Sequence, residues 1–448
     1  MQGYPNYQET NLDWLGKVPA HWSLGQLGAC FSERNEKVSD TEYPALSVTK
    51  NGIVPQMEHV AKTDAGDNRK KVCKNDFVIN SRSDRKGSAG VSEYNGSVSL
   101  ISTVLEPHFF LPNFAHHLFR SYNFQEEFYR FGKGIVADLW STRYAEMKNI
   151  IVPLVPLEEQ EAIARFLDRE TARIDKLIAE KQTFIKLLKE KRQALISHVV
   201  TKGLDPNVKM KDSGIEWIGE VPEHWECVPL KRLVRNIEQG WSPECHSNPA
   251  KENCWGVLKS GAVNGGVYQA QENKELPENL LPRAEIEVKN GDLIMSRASG
   301  SRELIGSAAY VYETRSKLML CDKLFRLNCL DEINPEFVSI CLSSYPLRRQ
   351  IELAIGGAEG LANNLSQSNI KRLYLAKPPK AEQGLIVSAL KKRLEGFDRI
   401  VAETSLSIEL LREHRTALIC AAVTGKIDVR SEAQTLPDQP QPQESAHA

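Results

Sequence analysis

The sequence lacks most of what marks an enzyme, a membrane protein or a secreted one. Its 448 residues hold no run near the ~20 apolar residues that cross a bilayer, and the longest helical stretches are laced with Lys and Glu. The opening Met1-Gln2-Gly3-Tyr4-Pro5 has neither the basic start nor the apolar core of a secretory signal. Cysteine is sparse: nine residues, an odd number, with no Cys-x-x-Cys pair. That argues against a disulfide framework and for a reducing, cytoplasmic setting. Catalytic signatures are missing too. Thr424-Gly425-Lys426 stands without the rest of a phosphate-binding loop, and neither GxSxG nor HExxH occurs. Asn248-Pro249 and Asn334-Pro335 are not followed by the Pro-aromatic pair with which amino-methyltransferases hold a flipped base. Cys245-His246 with Cys254 is an isolated set, and no metal is expected there. The run Gly356-Gly357-Ala358-Glu359-Gly360 has no strand before it and reads as a loop rather than a dinucleotide site. No catalytic, metal or cofactor residue is therefore expected.

Charge of one sign is also lacking. Lys and Arg number 57 against 58 Asp and Glu, a formal net charge of −1. This excludes a chain that coats nucleic acid by bulk charge, while leaving room for local basic patches or for a partner that completes a grip on phosphate.

What is present is a repeat, which has to be found before any other pattern. Trp14-Leu15-Gly16-Lys17-Val18-Pro19-Ala20-His21-Trp22 returns as Trp217-Ile218-Gly219-Glu220-Val221-Pro222-Glu223-His224-Trp225, an offset of 217 − 14 = 203. Glu159-Gln160 returns as Glu382-Gln383, an offset of 383 − 160 = 223, and the register then holds through Glu190–Ile196 against Glu413–Ile419. The stretch between the landmarks is thus 223 − 203 = 20 residues longer in the second half. The intervening segments, roughly 24–150 and 227–373, show little mutual similarity. Constant scaffolding around divergent inserts argues for one job done twice on two targets.

Residues 158–200 have no Pro or Gly and place Ile163, Leu167, Ile174, Ile178, Ile185 and Leu188 at helical spacing, which predicts a helix of ~60 Å. Its second copy carries Leu390, Phe397, Ile400, Ile408 and Leu411 and ends at Gly425; Gly396 inside it costs about 1 kcal/mol relative to Ala. Each has one apolar stripe to bury, so the two are expected to pack on each other antiparallel. Short runs such as Phe77–Asn80, Val98–Ile101, Asp292–Met295 and Ala308–Tyr312 predict strands, with helices near 113–130 and 335–354. The expected fold is α/β: two mixed α/β domains (1–155 and 206–378) joined by two long antiparallel helices (156–205 and 379–428) with an internal pseudo-two-fold repeat, and a disordered Pro- and Gln-rich tail (429–448). Trp14, Trp22, Trp217 and Trp225 are read as a structural clasp at the start of each half.

The two opening motifs, the joint Val152-Pro153-Leu154-Val155-Pro156-Leu157-Glu158-Glu159-Gln160-Glu161-Ala162-Ile163 and Thr424-Gly425-Lys426-Ile427-Asp428-Val429 resemble the specificity subunit of type I restriction–modification systems over about residues 10–430. In Lys377-Pro378-Pro379-Lys380-Ala381-Glu382-Gln383 a Lys stands where that pattern has an apolar residue. The resemblance implies two target-recognition domains, each reading half of a split DNA sequence. It also implies two methyltransferase subunits docked on the helices, with Gln160, Ile163, Leu167, Gln383, Ile386 and Leu390 as docking residues, and a restriction and translocation subunit beside them. S-adenosylmethionine, Mg2+ and ATP would then sit on the partners, and this chain would have no chemistry of its own.

Base reading wants Arg or Lys for guanine and Asn or Gln for adenine. Asn80-Ser81-Arg82-Ser83-Asp84-Arg85-Lys86-Gly87 is the candidate loop of the first domain, and Ser296-Arg297-Ala298-Ser299-Gly300-Ser301-Arg302 that of the second. Ser81-Arg82 aligns with Ser296-Arg297 at 297 − 82 = 215, so Arg82 and Arg297 read either as DNA contacts or as a shared strand closure. Arg85, Lys86, Ser299 and Arg302 are readers by this logic, Lys133 and Arg143 phosphate contacts, Asn363 and Asn364 adenine contacts. Arg69-Lys70-Lys71 reads as a solvated face. Two other readings stand beside this one: a self-contained methyltransferase or nuclease, and a scaffold or decoy that holds the partner enzymes without reading DNA.

Overall fold

The computed structural model describes residues 2–56, 66–134, 140–355 and 364–433. The chain divides into two units, residues 1–181 with 406–448, and residues 182–405. Each is built on a four-stranded antiparallel sheet. In the first unit the strand order is Ala89–Val91, Phe77–Asn80, Ser102–Pro107, Phe31–Glu33. In the second it is Ala308–Tyr310, Leu293–Ser296, Leu324–Cys329, Val234–Gln239. The topologies are the same. Three short helices follow each sheet: α1 (Pro112–Arg120), α2 (Tyr122–Arg130) and the one-turn α3 (Tyr144–Met147) in the first unit precede the long α4 (Leu157–Lys202). Their counterparts are α5 (Pro335–Ser343), α6 (Tyr345–Ala354), α7 (Gln367–Lys371) and the long α8 (Lys380–Val423).

The divergent inserts therefore share the order of their four-stranded sheets and of the helices that follow, and the twenty extra residues can be located. The offset is 226 − 23 = 203 at strand Ser23–Gln26, 293 − 77 = 216 at strand Phe77–Asn80, 324 − 102 = 222 at strand Ser102–Pro107 and 335 − 112 = 223 at α1. Most of the difference thus falls between the first and second strands of the sheet, where the first unit carries a two-residue hairpin, Leu46–Thr49 with Gly52–Pro55. One strand expectation fails. Residues 99–101 are a turn between strands Gly96–Val98 and Ser102–Pro107, and Leu100 and Ile101 are exposed, because the segment passes from one sheet to another.

Both long helices share their length between the units. In the first unit, Ile163, Leu167 and Ile174 of α4 pack in one core with Leu418, Ala422 and Val423 of α8, and Arg415 donates to Asp175 at 2.9 and 3.1 Å. In the second, Ile386 and Leu390 of α8 pack with Ile196, Val199 and Val200 of α4, and Arg192 pairs with Asp398 at 3.3 Å. Both ion pairs sit at the repeat offset, 415 − 192 = 398 − 175 = 223, with the helices' roles exchanged. Within each unit the two segments run antiparallel.

A clasp fixes where each half begins. Trp22 Nε1 and the Tyr4 hydroxyl donate to Glu159 Oε2 at 3.1 and 2.9 Å, and His21 Nε2 lies 2.6 Å from Glu159 Oε1. In the second half Trp225 Nε1 and His224 Nε2 meet Glu382 Oε2 at 3.0 and 2.9 Å. Trp14, Trp22 and Trp225 are buried, as a clasp requires. Gly425, just past α8, has φ +71°, and a Cβ there would lie 2.3 Å from Pro19 and 2.9 Å from Trp22. Gly203, just past α4, has φ +77° and faces Trp225. Each long helix thus ends against the clasp of the unit it reaches, where only glycine combines a left-handed turn with such a close approach.

Val429 is buried and Arg430–Ala433 form a helical turn, so the start of the segment assigned to the disordered tail is packed; residues 434–448 lie outside the described residues.

Candidate nucleic-acid interface

In the first unit the chain leaves strand Phe77–Asn80 into a loop pinned on three sides. The Asn80 side chain accepts from Arg82 N at 3.1 Å, Ser81 Oγ donates to Ile101 O at 2.6 Å, and the buried Tyr129 hydroxyl donates to Asn80 O at 3.2 Å. Burial pushes the Tyr129 phenol upward, so it stays a donor. Ser83–Arg85 then make one 3-10 turn, and Gly87 turns back with φ +83°. The second candidate loop comes to the same place. Thr142 N donates to Ser81 O at 2.9 Å, Ser83 N to Trp140 O at 2.9 Å, and Lys133 and Ser141 exchange two backbone bonds at 3.1 Å. Arg82, Arg85, Lys86, Lys133 and Arg143 therefore belong to one fixed surface, and all five are exposed. Arg82 and Arg143 have no carboxylate partner among the described residues. Lys86 pairs with Glu126, Lys133 lies 3.5 Å from Glu146 and Arg85 lies 3.7 Å from Asp84. Exposed pairs of this kind are worth under about 1 kcal/mol and yield readily to a phosphate.

Beside this loop lies a polar cleft of about 600 Å³, lined by Ser47, Thr49, Lys50, Gln56, Arg85 and Ser99 among others. Thr49, Lys50 and Gln56 were not anticipated from sequence. Their signal was Lys50-Asn51-Gly52 between apolar runs: a two-residue turn, Lys50-Asn51, and the glycine that opens the return strand. Arg69-Lys70-Lys71 is not a solvated face. Arg69 is buried and donates to Ser97 Oγ and O at 2.9 and 3.0 Å, and Lys70 and Lys71 pair with Glu33 and Glu36 at 3.0 Å each.

The second unit repeats the layout with different side chains. Leu365 N donates to Arg297 O at 2.8 Å, and Ala298 bridges to Asn364, so the loop after strand Leu293–Ser296 meets the segment ahead of α7. The sheet register corrects the alignment made on sequence. Asn80 faces Ser102 and Ser296 faces Leu324, which makes Ser81 the counterpart of Arg297 and Arg82 that of Ala298, an offset of 216. The shared Ser-Arg is a one-residue slip. Arg297 is half-buried, its guanidinium 5.6 Å from the Phe325 ring centroid and its Nε without a partner among the described residues, which suits packing beneath the loop. Arg302 is exposed and donates to Glu352 O at 3.3 Å; Ser299 Oγ accepts from Ser301 N at 3.4 Å. Asn364 is half-buried, and Asn363 lies outside the described residues.

The six helix residues expected to dock a partner are all inside cores. Ile163, Leu167, Ile386 and Leu390 are fully buried. Gln160 Oε1 accepts from Leu111 N at 2.8 Å while its Nε2 donates to Val155 O at 2.8 Å; Gln383 does the same with Asn334 N and Pro378 O at 2.8 and 3.0 Å. These glutamines tie each long helix to the start of α1 or α5 and offer nothing to a partner. The large apolar side chains that the helices do expose are Leu157, Leu177, Phe184 and Leu187 on α4 and Leu385, Ile400, Leu406 and Leu410 on α8.

These features define an internally duplicated protein: two sheets of one topology, each presenting divergent loops beside its segments of the long helices. No family model matches the chain. Among curated proteins it is 36% identical over 183 residues to the EcoEI type I restriction enzyme specificity subunit of Escherichia coli, a match covering 40% of this chain and 31% of that one. It thus spans about a third of that relative's length. It is 23% identical to the EcoKI specificity subunit of Escherichia coli K12, covering 81% of this chain and 77% of that one. The putative MjaX specificity subunit of Methanocaldococcus jannaschii is also 23% identical and is covered over 97% of its length by 95% of this chain. Among solved structures, a chain described for complex assembly and conformational transition of the type I R-M system superposes with TM-score 0.68 at 15% identity, over 91% of this chain and 98% of that one. The HsdS subunit of Thermoanaerobacter tengcongensis gives TM-score 0.52 at 17% identity, over 94% of this chain and all of that one. The chain's curated relatives are specificity subunits of type I restriction enzymes, and its fold is that of solved HsdS chains. No described helix is long and apolar enough to cross a membrane.

Proposed function

We propose that this chain is the DNA-reading subunit of a type I restriction–modification complex, each unit binding one half of a split target. The observation that carries the reading is the pairing of a constant frame with divergent loops. Arg82, Arg85, Lys86, Lys133 and Arg143 share one exposed surface of the first unit, whereas the corresponding loop of the second offers Ser299 and Arg302. A scaffold has no need of two differently furnished faces. Arginine and lysine suit guanine edges and phosphates, and the Thr49–Gln56 hairpin adds adenine-compatible amide and hydroxyl groups.

Methylation and cleavage would belong to methyltransferase and restriction subunits that carry S-adenosylmethionine, Mg2+ and ATP. The exposed apolar residues of the long helices, Leu157, Leu177, Leu406 and Leu410 in the first unit and Phe184, Leu187, Leu385 and Ile400 in the second, are where they would dock on each unit. The near-neutral charge fits a subunit whose partners share the grip on phosphate.

The test is co-expression with the cognate methyltransferase in a host free of adenine methylation, followed by genome-wide detection of methyladenine. Two short half-sites around a fixed gap, appearing only with this chain, are expected. Arg82→Ala with Arg85→Ala should relax or abolish one half-site and leave the other intact. Methylation independent of the chain would establish the scaffold or decoy reading instead.

A further inference from the structure

A cleft of about 530 Å³ on the first unit, behind the reading loop, carries charge of the wrong sign for DNA. Trp14, Tyr129 and Trp140 give it aromatic walls, and its lining carries Asp13, Glu126 and Glu127 against the one lining cation Arg130; with Lys86, which pairs with Glu126, the balance is 2 − 3 = −1. Arg130 bridges two of these carboxylates, at 2.9 Å to Glu127 and 3.8 Å to Asp13. Trp14 is more than nine-tenths buried, and its indole Nε1 has no acceptor among the described residues. A phosphate is repelled by this surface; a cation beside aromatic rings is favoured.

The second unit indicates what such a cation is. Its tryptophan at the same repeat position, Trp217 (217 − 14 = 203), has the Arg349 guanidinium 5.6 Å over its ring. Arg349 is the counterpart of Glu126, since α6 follows α2 residue for residue from Tyr345 and Tyr122 and 349 − 126 = 223. The second unit supplies a guanidinium from its own helix. The first has a carboxylate at that position and an open cleft in front of it.

We propose that this cleft receives an arginine or lysine side chain from a basic segment of a partner protein, in the place that Arg349 fills on the second unit. A nucleobase is the weaker occupant, because its flanking phosphates would be brought against three carboxylates. The cleft shares Ser83 and Trp140 with the support of the DNA-reading loop, but its test contains no DNA, so the proposal stands or falls independently of the function proposed above.

The full-length chain is titrated with a fluorescein-labelled five-residue peptide holding one arginine, and with the same peptide holding glutamine. The arginine peptide should bind at least tenfold more tightly. Glu126→Arg, which gives the first unit the residue the second already has, should abolish that preference. Asp13→Asn, at an almost fully exposed side chain that leaves folding unaffected, should weaken arginine-peptide binding two- to fivefold. Equal binding of the two peptides overturns the proposal, as does arginine binding unchanged in both variants. Displacement of the peptide by free cytidine would mark a nucleobase pocket and overturn it as well.

Discussion

His116 shows how a single residue of α1 is set by what surrounds it. Burial lowers its pKa to about 3, and the neighbouring Arg120, His117 and Arg415 add to the shift against a smaller opposing pull from Asp168. Arg120 donates to its Nε2, so the folded protein holds the ring neutral. The unfolded chain takes up a proton near pH 6.5 and the folded chain only near 3. Between those values the unfolded state binds more protons, so this residue's contribution is present above pH 6.5 and is lost as pH falls. Stability should therefore drop on acidification below about pH 6.5, with a slope of up to roughly 1.4 kcal/mol per pH unit from this residue. Denaturant unfolding from pH 7 to 5 should show a shallower slope in His116→Asn, which keeps an acceptor for Arg120 without the titration. An identical slope in the variant would remove His116 as the cause. Gln160 teaches a different lesson at the same scale. Its recurrence as Gln383 was plain in the sequence, but recurrence does not distinguish a surface used twice from a buried bond made twice. Only the Leu111 and Asn334 amides, 49 residues upstream of each glutamine, decide between them.

The long helices were the most legible elements. The expected span 158–200 became Leu157–Lys202, because forty residues of apolar periodicity without Pro or Gly leave no other structure. The strands were less so. A segment of three or four residues carries at most two turns of alternation, and Val98–Ile101 was assigned across a boundary that only the pairing of two sheets defines. The Ser-Arg alignment failed by one residue for the same reason: a period of two has no memory of register, and a slip exchanges the faces. Helix glycines provide a test that separates termination from interior cost. Gly396 lies inside α8 with open space around its Cβ position, so Gly396→Ala should stabilise by about 1 kcal/mol. Gly425 combines a left-handed φ with contact to Pro19 and Trp22, and Gly425→Ala should destabilise by about 2 kcal/mol or more. Thermal unfolding of the two variants should move in opposite directions; a stabilised Gly425→Ala would show that the end of α8 is not seated on the clasp.

At the scale of the whole molecule, the repeat predicts which parts depend on which. The first unit is not closed by residues 1–181 alone. Leu418, Ala422, Val423 and Val429, from the far end of the chain, lie in the same core as Trp14, Trp22, Ile163 and Leu167, and Arg415 meets Asp175 there. The second unit takes its equivalents, Ile196, Val199 and Val200, from the middle of the chain and is complete between residues 182 and 405. Ending the chain after Ser405 should therefore injure the first unit alone. Four buried apolar side chains leave its core, together with Leu411, Ile419 and Ile427 packed against it, at roughly 1.5–3 kcal/mol for each large buried one, against the 5–15 kcal/mol of a typical domain. Hydrogen exchange followed by mass spectrometry should show amides of residues 66–134 losing protection in the truncated chain while those of 293–342 keep theirs. Truncation leaves both inserts intact, so such an asymmetry would come from the source of the closing helix. Equal loss of protection in both units would mean that they fold as one cooperative body. Equal retention would mean that the C-terminal segment contributes little to the core in which it is packed.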